Sequence, residues 1–177
     1  MKATGIVRRI DDLGRVVIPK EIRRTMRIRE GDPLEIYTDN DGEVIFKKYS
    51  PIGELGNYAV SAADVLNKNS GKGVIICDRD HCVAASGIPK KEVLERRISS
   101  DIEDIMESRK PFCADGDYPI ALEGTNYKVS VAVPIIAAGD ISGIVILVEE
   151  NGKNPTESEE KLSLATAGFL AKQMEEY

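Results

Sequence analysis

Ser50-Pro51-Ile52-Gly53 breaks a β-rich pattern less than a third of the way along the chain, and what can fold on either side follows from that break. Upstream, residues 3 to 9 and 15 to 18 read as short β segments around the turn Asp11-Asp12-Leu13-Gly14, a first hairpin. Pro19 suits the first position of a helix of about two turns, with Ile22 and Met26 one turn apart and Gly31 beyond its end. LEIYTDNDGEVIFKK adds a second hairpin through Asn40-Asp41-Gly42, with Leu34, Ile36, Val44 and Phe46 available for one buried face. Four short strands and one short helix hide too little apolar surface to be stable alone, so residues 1 to 50 call for an obligate dimer.

Residues 51 to 56 read as a linker and residues 57 to 177 as an α+β domain. Its predicted order is a helix over ELGNYAVSAADVLNKN and a hairpin over GVIICDRDHCVAASG turning at Asp78-Arg79-Asp80. Helices over KKEVLERRI and SSDIEDIMESRK follow, then strands over NYKVSVAVPIIAAG and DISGIVILVEE, and a long final helix. Thr156 with Glu159 three residues later is a capping-box pattern at the start of that helix. The helix has one apolar stripe of Leu162, Ala165 and Phe169 and another of Leu164, Ala167, Ala171 and Met174. One stripe can pack on its own sheet and the other on a neighbour; a helix buried within a single domain is the alternative.

Charge divides the same way. Residues 1 to 30 carry nine basic groups (Lys2, Lys20, Arg8, Arg9, Arg15, Arg23, Arg24, Arg27 and Arg29) against four acidic ones, or +5; residues 54 to 177 carry 13 basic and 21 acidic groups, or −8. A basic module fused to an acidic one implies an anionic partner that meets only the first, most often nucleic acid. Arg8 and Arg9 end the first β segment, Arg15 begins the next, and Arg23, Arg24 and Arg27 fall on the polar side of the helix, so all can converge on one face. Doubled in a dimer, that face can follow successive phosphates of double-stranded DNA, and arginine can also fork onto guanine edges.

The stretch GIVRRIDDLGRVVIPKEIRRTMRIREGDPLEIYTDNDGEVIFKKYSP closely resembles the AbrB family of bacterial transition-state regulators, over residues 2 to 51. The resemblance implies a swapped-hairpin dimer that binds DNA without a helix-turn-helix. It implies DNA contact by Arg8, Arg15, Arg23 and Arg24, with Arg9 and Lys2 as additions and Asp11 ordering Arg15. The second module is similar to GAF domains in its order of elements, in the VAVPI and GDISGIVIL strand pair and in the AGFLAKQME ending. Regulators that couple the two modules imply tetramers joined through GAF helices, here through Leu164, Ala167, Ala171 and Met174, and an unidentified small-molecule ligand.

Other chemistries find little support. No apolar run reaches the roughly 20 residues of a membrane span and the start lacks a secretory leader, so a cytoplasmic location is expected. Cys77, Cys82 and Cys113 are an odd, unpatterned set that reads as free thiols. His81 with Asp80 and Ser86 makes a poor hydrolytic triad, because neighbours on a hairpin point to opposite faces. Cys77, His81, Cys82 and Cys113 make a poor zinc signature, and no phosphate-binding glycine motif is present. The chain is therefore expected to be a DNA-binding transcription regulator of the transition-state and sporulation type, without metal or catalytic residues. The alternatives are an antitoxin-like interaction protein and a GAF-fold thiol reductase or redox sensor acting through its cysteines.

Overall fold

The computed structural model describes residues 4–176. It separates into two compact units, residues 1–49 and residues 50–177.

In the first unit, helix α1 (Lys20–Thr25) follows Pro19, and strands β1 (Leu34–Thr38) and β2 (Val44–Lys48) pair antiparallel. Asp39 closes their turn: its side chain accepts the N–H groups of Asp41 and Glu43, and Gly42 takes the left-handed backbone (φ 82°) that the turn requires. Ile36 lies directly opposite Phe46, with Leu34 and Val44 on the same face two residues away. The expected strands over residues 4–9 and 15–18 do not form; those residues carry no ladder. A strand exists only by pairing, and within one chain β1 and β2 pair only with each other. Met26 is exposed rather than packed beneath α1. Among residues 4–49 only Pro19 is buried, and Ile6, Val7, Ile10, Leu13, Val16, Val17, Ile36, Val44 and Phe46 all face solvent.

The second unit begins where a linker was expected. Residues 51–54 are helical and Leu55 turns the chain into the next helix: Ser50 Oγ accepts the Gly53 N–H at 3.1 Å, Pro51 occupies the first turn of α2 (Pro51–Glu54), and Ile52 and Leu55 are buried. Serine before proline is a helix-start signal as well as a chain break, and two apolar side chains anchor this one. Helix α3 (Gly56–Ser70) leads to β3 (Val74–Cys77) and β4 (Cys82–Ser86), then α4 (Lys90–Val93), α5 (Ser100–Ser108), β5 (Phe112–Cys113), β6 (Val129–Ala137), β7 (Asp140–Val148) and α6 (Glu157–Glu175). The helix predicted over KKEVLERRI stops at Val93, because Leu94 turns extended and Glu95 takes a positive φ of 62°.

The sheet runs β4-β3-β7-β6-β5, antiparallel throughout, and is covered on both faces. Side chains alternate between the two cores: Val74 and Ile76, with Val145 and Leu147, meet α3 and α6, while Ile75 and Cys77, with Ile144 and Ile146, meet α4 and α5. Burial on both faces is why these strands read as unbroken apolar runs. Thr156 and Glu159 form the predicted capping box. Glu159 also meets Lys72 Nζ at 3.2 Å, tying the start of α6 to the segment before β3.

The stripe assigned to a neighbouring copy faces mostly inward. Ser163, Ala167 and Leu170 are buried, and Ala171 and Met174 pack against the same core; only Leu164 of the four named residues is exposed. Small side chains at 163 and 167 let α6 lie close on the sheet, and this fixes the helix's rotation. Outward apolar residues include Leu164 and Phe169 on α6 and Tyr58, Val60 and Val65 on α3; the Tyr58 and Phe169 rings tilt together with centroids 6.5 Å apart.

Candidate nucleic-acid interface

The turn after the first extended segment is built around Asp11. Its carboxylate accepts the Leu13 N–H at 3.0 Å, the Arg15 N–H at 2.8 Å and Arg15 Nε at 2.8 Å, while its own N–H donates to the Arg15 carbonyl at 3.0 Å. These donors, the Arg15 amide first, hold the Asp11 carboxyl below its ordinary value. Arg15 is oriented on one side only: Nε is engaged by Asp11, and its side chain remains 70 % exposed. Such a guanidinium is presented to solvent with its direction set in advance, as a phosphate or base-edge donor needs to be.

Helix α1 presents the next pair. Pro19 supplies a φ of −57° at the helix start, its carbonyl accepts the Arg23 N–H at 2.9 Å, and Arg23 and Arg24 both stand exposed in the last turn. Cations there also complement the carbonyl end of the helix dipole. Arg8 and Arg9 lie exposed on the segment before the turn, Arg8 Nη1 bonding the Val7 carbonyl at 3.1 Å. Lys2 lies outside the described residues.

One element escaped the sequence reading. The Asp32 carboxylate accepts the Arg29 N–H at 2.7 Å and approaches Lys48 Nζ at 3.7 Å, and Lys48 also donates to the Arg27 carbonyl at 2.9 Å. This clasp fastens the segment after α1 to the end of β2, so the arginine helix is held by the hairpin. Gly31-Asp32-Pro33 was the available signal, since Asp before Pro commonly organises a turn.

The cysteines make a different kind of cluster. Cys77 and Cys82 are cross-strand partners with no solvent exposure, and burial, then the hydrogen bond with Cys82, push the Cys77 thiol well up. Cys113 is also raised, by burial and then by Glu160. Raised, shielded thiols are poor nucleophiles, unlike those of a thiol catalyst. Among the described residues no three His, Cys, Asp or Glu side chains gather as metal ligands, and no helix is long and apolar enough to cross a membrane.

Residues 54–175 match the family model described as stage V sporulation protein T C-terminal, transcription factor. The chain is 51 % identical over 182 residues to stage V sporulation protein T of Bacillus subtilis, covering 99 % of this chain and 100 % of that protein. The chain belongs to the stage V sporulation protein T family. Within this family member, residues 7–53 also match the model described as antidote-toxin recognition MazE, bacterial antitoxin. The N-terminal unit is 65 % identical over 51 residues to the transition state regulatory protein AbrB of B. subtilis, covering 29 % of this chain and 52 % of that protein. The second unit shares its fold with the GAF domain/HD domain protein of Geobacter sulfurreducens, at a TM-score of 0.52 and 15 % identity over 74 % of this chain and all of that one.

Proposed function

We propose that this member of the family is a sporulation-type transcription regulator whose N-terminal units pair as swapped hairpins and hold double-stranded DNA. Its GAF-like unit senses a small molecule and joins dimers into tetramers. The supporting observation is the imbalance in residues 4–49: arginines presented outward, one of them pre-oriented by Asp11, on a unit that buries no hydrophobic side chain. A second copy of the same hairpins supplies both the missing ladder for residues 4–10 and 15–18 and the missing core. Arg8, Arg9, Arg15, Arg23, Arg24 and Lys2 then contact DNA from both chains. The reading makes the protein a cytoplasmic regulator rather than an enzyme, and the raised cysteines support it. The antitoxin reading draws on the match of residues 7–53 and gives no account of the rest of the second unit, which holds two hydrophobic cores.

Salt dependence tests the DNA surface. Log affinity falls by about 0.9 per phosphate contact for each unit of log salt, so Arg23→Ala, which removes one contact per chain, reduces the slope by roughly 2 in a dimer. An unchanged slope in a correctly assembled variant removes Arg23 from the interface.

Tetramer formation is assigned to the outward face of α3 and α6 instead of the inward stripe. Phe169→Glu places a charge beside Tyr58 on this face, where a helix-to-helix seam tolerates it poorly but a free surface does not object. Light scattering of the variant is expected to give dimers with the N-terminal pairing intact; a tetramer at the same concentration rejects this face.

A further inference from the structure

Between α4 and the loop before β6 the second unit has an open surface groove of about 410 Å³, lined by the exposed Glu92, Arg96, Gly124 and Asn126 and the half-buried Thr125 and Tyr127. It is wide enough for a small molecule, which it would hold by its charged walls and not by enclosure. Two opposite charges share it without meeting. In a continuous helix Glu92 and Arg96, four residues apart, would pair. Here α4 ends at Val93, Leu94 runs extended and Glu95 has a φ of 62°, which parts the two side chains. Arg96 is anchored by its backbone, its carbonyl accepting the Cys82 N–H at 2.8 Å and its N–H donating to Val93 at 3.0 Å, while its guanidinium bonds no described residue. Gly124 leaves room for it: a Cβ there would stand 3.3 Å from Arg96 Nη1. Across the groove, Tyr127 Oη donates to Glu92 Oε2 at 2.5 Å, so that carboxylate is held in place with Oε1 still open. The loop is itself fixed by the Ala121 N–H to the Tyr127 carbonyl at 2.8 Å and by Thr125 Oγ1 to the Leu122 carbonyl at 2.9 Å.

We propose that this groove binds a small zwitterion of the α-amino acid class, its carboxylate on the Arg96 guanidinium and its ammonium group on the open oxygen of Glu92. The assignment rests on the reading of the GAF-like unit as a ligand sensor and names the chemistry it senses. A guanidinium fork fits a carboxylate through two parallel hydrogen bonds, and a carboxylate already oriented by a phenol fits an ammonium. A ligand with only one charge would leave either Glu92 or Arg96 to water alone. Inorganic phosphate, the other common guanidinium ligand, is repelled by Glu92.

The test is calorimetric titration of the full chain with the common L-α-amino acids one at a time, at millimolar concentration, alongside inorganic phosphate. For the amino acid that binds best, its decarboxylated amine and its N-acetylated acid are titrated as well. The expected result is binding of at least one amino acid and a loss of about tenfold or more for each single-charge analogue. In Arg96→Gln the amino acid and its decarboxylated amine should bind equally weakly, and in Glu92→Gln the amino acid and its acetylated form should do so. Neither substitution removes a packed side chain, and glutamine at 92 still accepts from Tyr127, so the unfolding temperature of both variants checks the fold. The proposal is overturned if no amino acid binds, if phosphate binds as tightly as the best of them, or if both variants bind like the parent. Titrating DNA with and without the amino acid separates the two readings. Binding that depends on Arg96 and Glu92 but leaves DNA affinity unchanged keeps the site and rejects its sensing role. A DNA response to amino acids that survives in both variants keeps sensing and rejects the site.

Discussion

Phe46→Asp should leave the full chain unable to hold DNA while its second unit melts at an unchanged temperature. Phe46 stands opposite Ile36, on the hairpin face that also carries Leu34 and Val44, and in a single chain it is 40 % exposed. Were the chain to act as a monomer, an aspartate at an exposed position would cost almost nothing. If a second copy covers this face, each dimer instead buries two unpaired carboxylates. Burying an unpaired charge costs several kcal/mol, so DNA affinity should fall on the order of 100-fold or more as the arginines of the two chains lose their common frame. Sedimentation velocity and fluorescence anisotropy with a labelled duplex read the two effects together. A variant that keeps both its self-association and its DNA affinity would show that the hydrophobic face of this hairpin is not the dimer core and that the chains pair through the segments flanking Asp11.

Gly143→Ala should be the most damaging single-methyl change in the second unit. Gly143 lies in β7, beside the point where β3 pairs with it through Cys77 and Ile144, and opposite Ile135 of β6. A Cβ at residue 143 would stand 2.2 Å from the Cys77 carbonyl oxygen, 3.3 Å from its carbon and 3.4 Å from the Asp78 Cα. All three are backbone atoms, so no side chain can rotate away. Relief requires β3 to shift, and with it the hairpin that links both cores. Overpacking without an escape costs about 3 kcal/mol, a drop in unfolding temperature of roughly 10 °C for a unit of this size. Differential scanning calorimetry measures it directly. A variant within a degree of the parent would mean that β3 and β7 are spaced more loosely at Cys77 than described.

How legible each part was depends on the range of the interactions that form it. Thr156 and Glu159 announced the start of α6, and Asn40-Asp41-Gly42 the turn between β1 and β2, because a cap or a tight turn is made by residues within four positions of one another. The pairing of Asp11 with Arg15 is equally local, though it was the family resemblance and not the spacing that implied it. The strands of the second unit were visible as apolar runs, but the sequence reading did not extract from them that helices cover both faces of the sheet.

What the sequence determined by itself, then, is the division into a basic and an acidic unit, most of the strands and helices of the second, and the arginines that we propose meet DNA. Tertiary structure alone decided the rest. The rotation of α6 could not be read from its two apolar stripes, because which stripe turns inward depends on how closely Ser163 and Ala167 let the helix approach the sheet. The early end of α4 could not be read either. Its residues favour a helix, and the chain leaves it so that Cys82 and Arg96, and then His81 and Arg97, can pair backbone to backbone. That departure separates Glu92 from Arg96 and opens the groove between them. Ladders between distant segments override local preference because each satisfies several backbone groups at once. The extended arms around Asp11 follow the same rule from the other side: their composition is that of strands, but a strand is a property of a pair, and among the described residues they form no ladder.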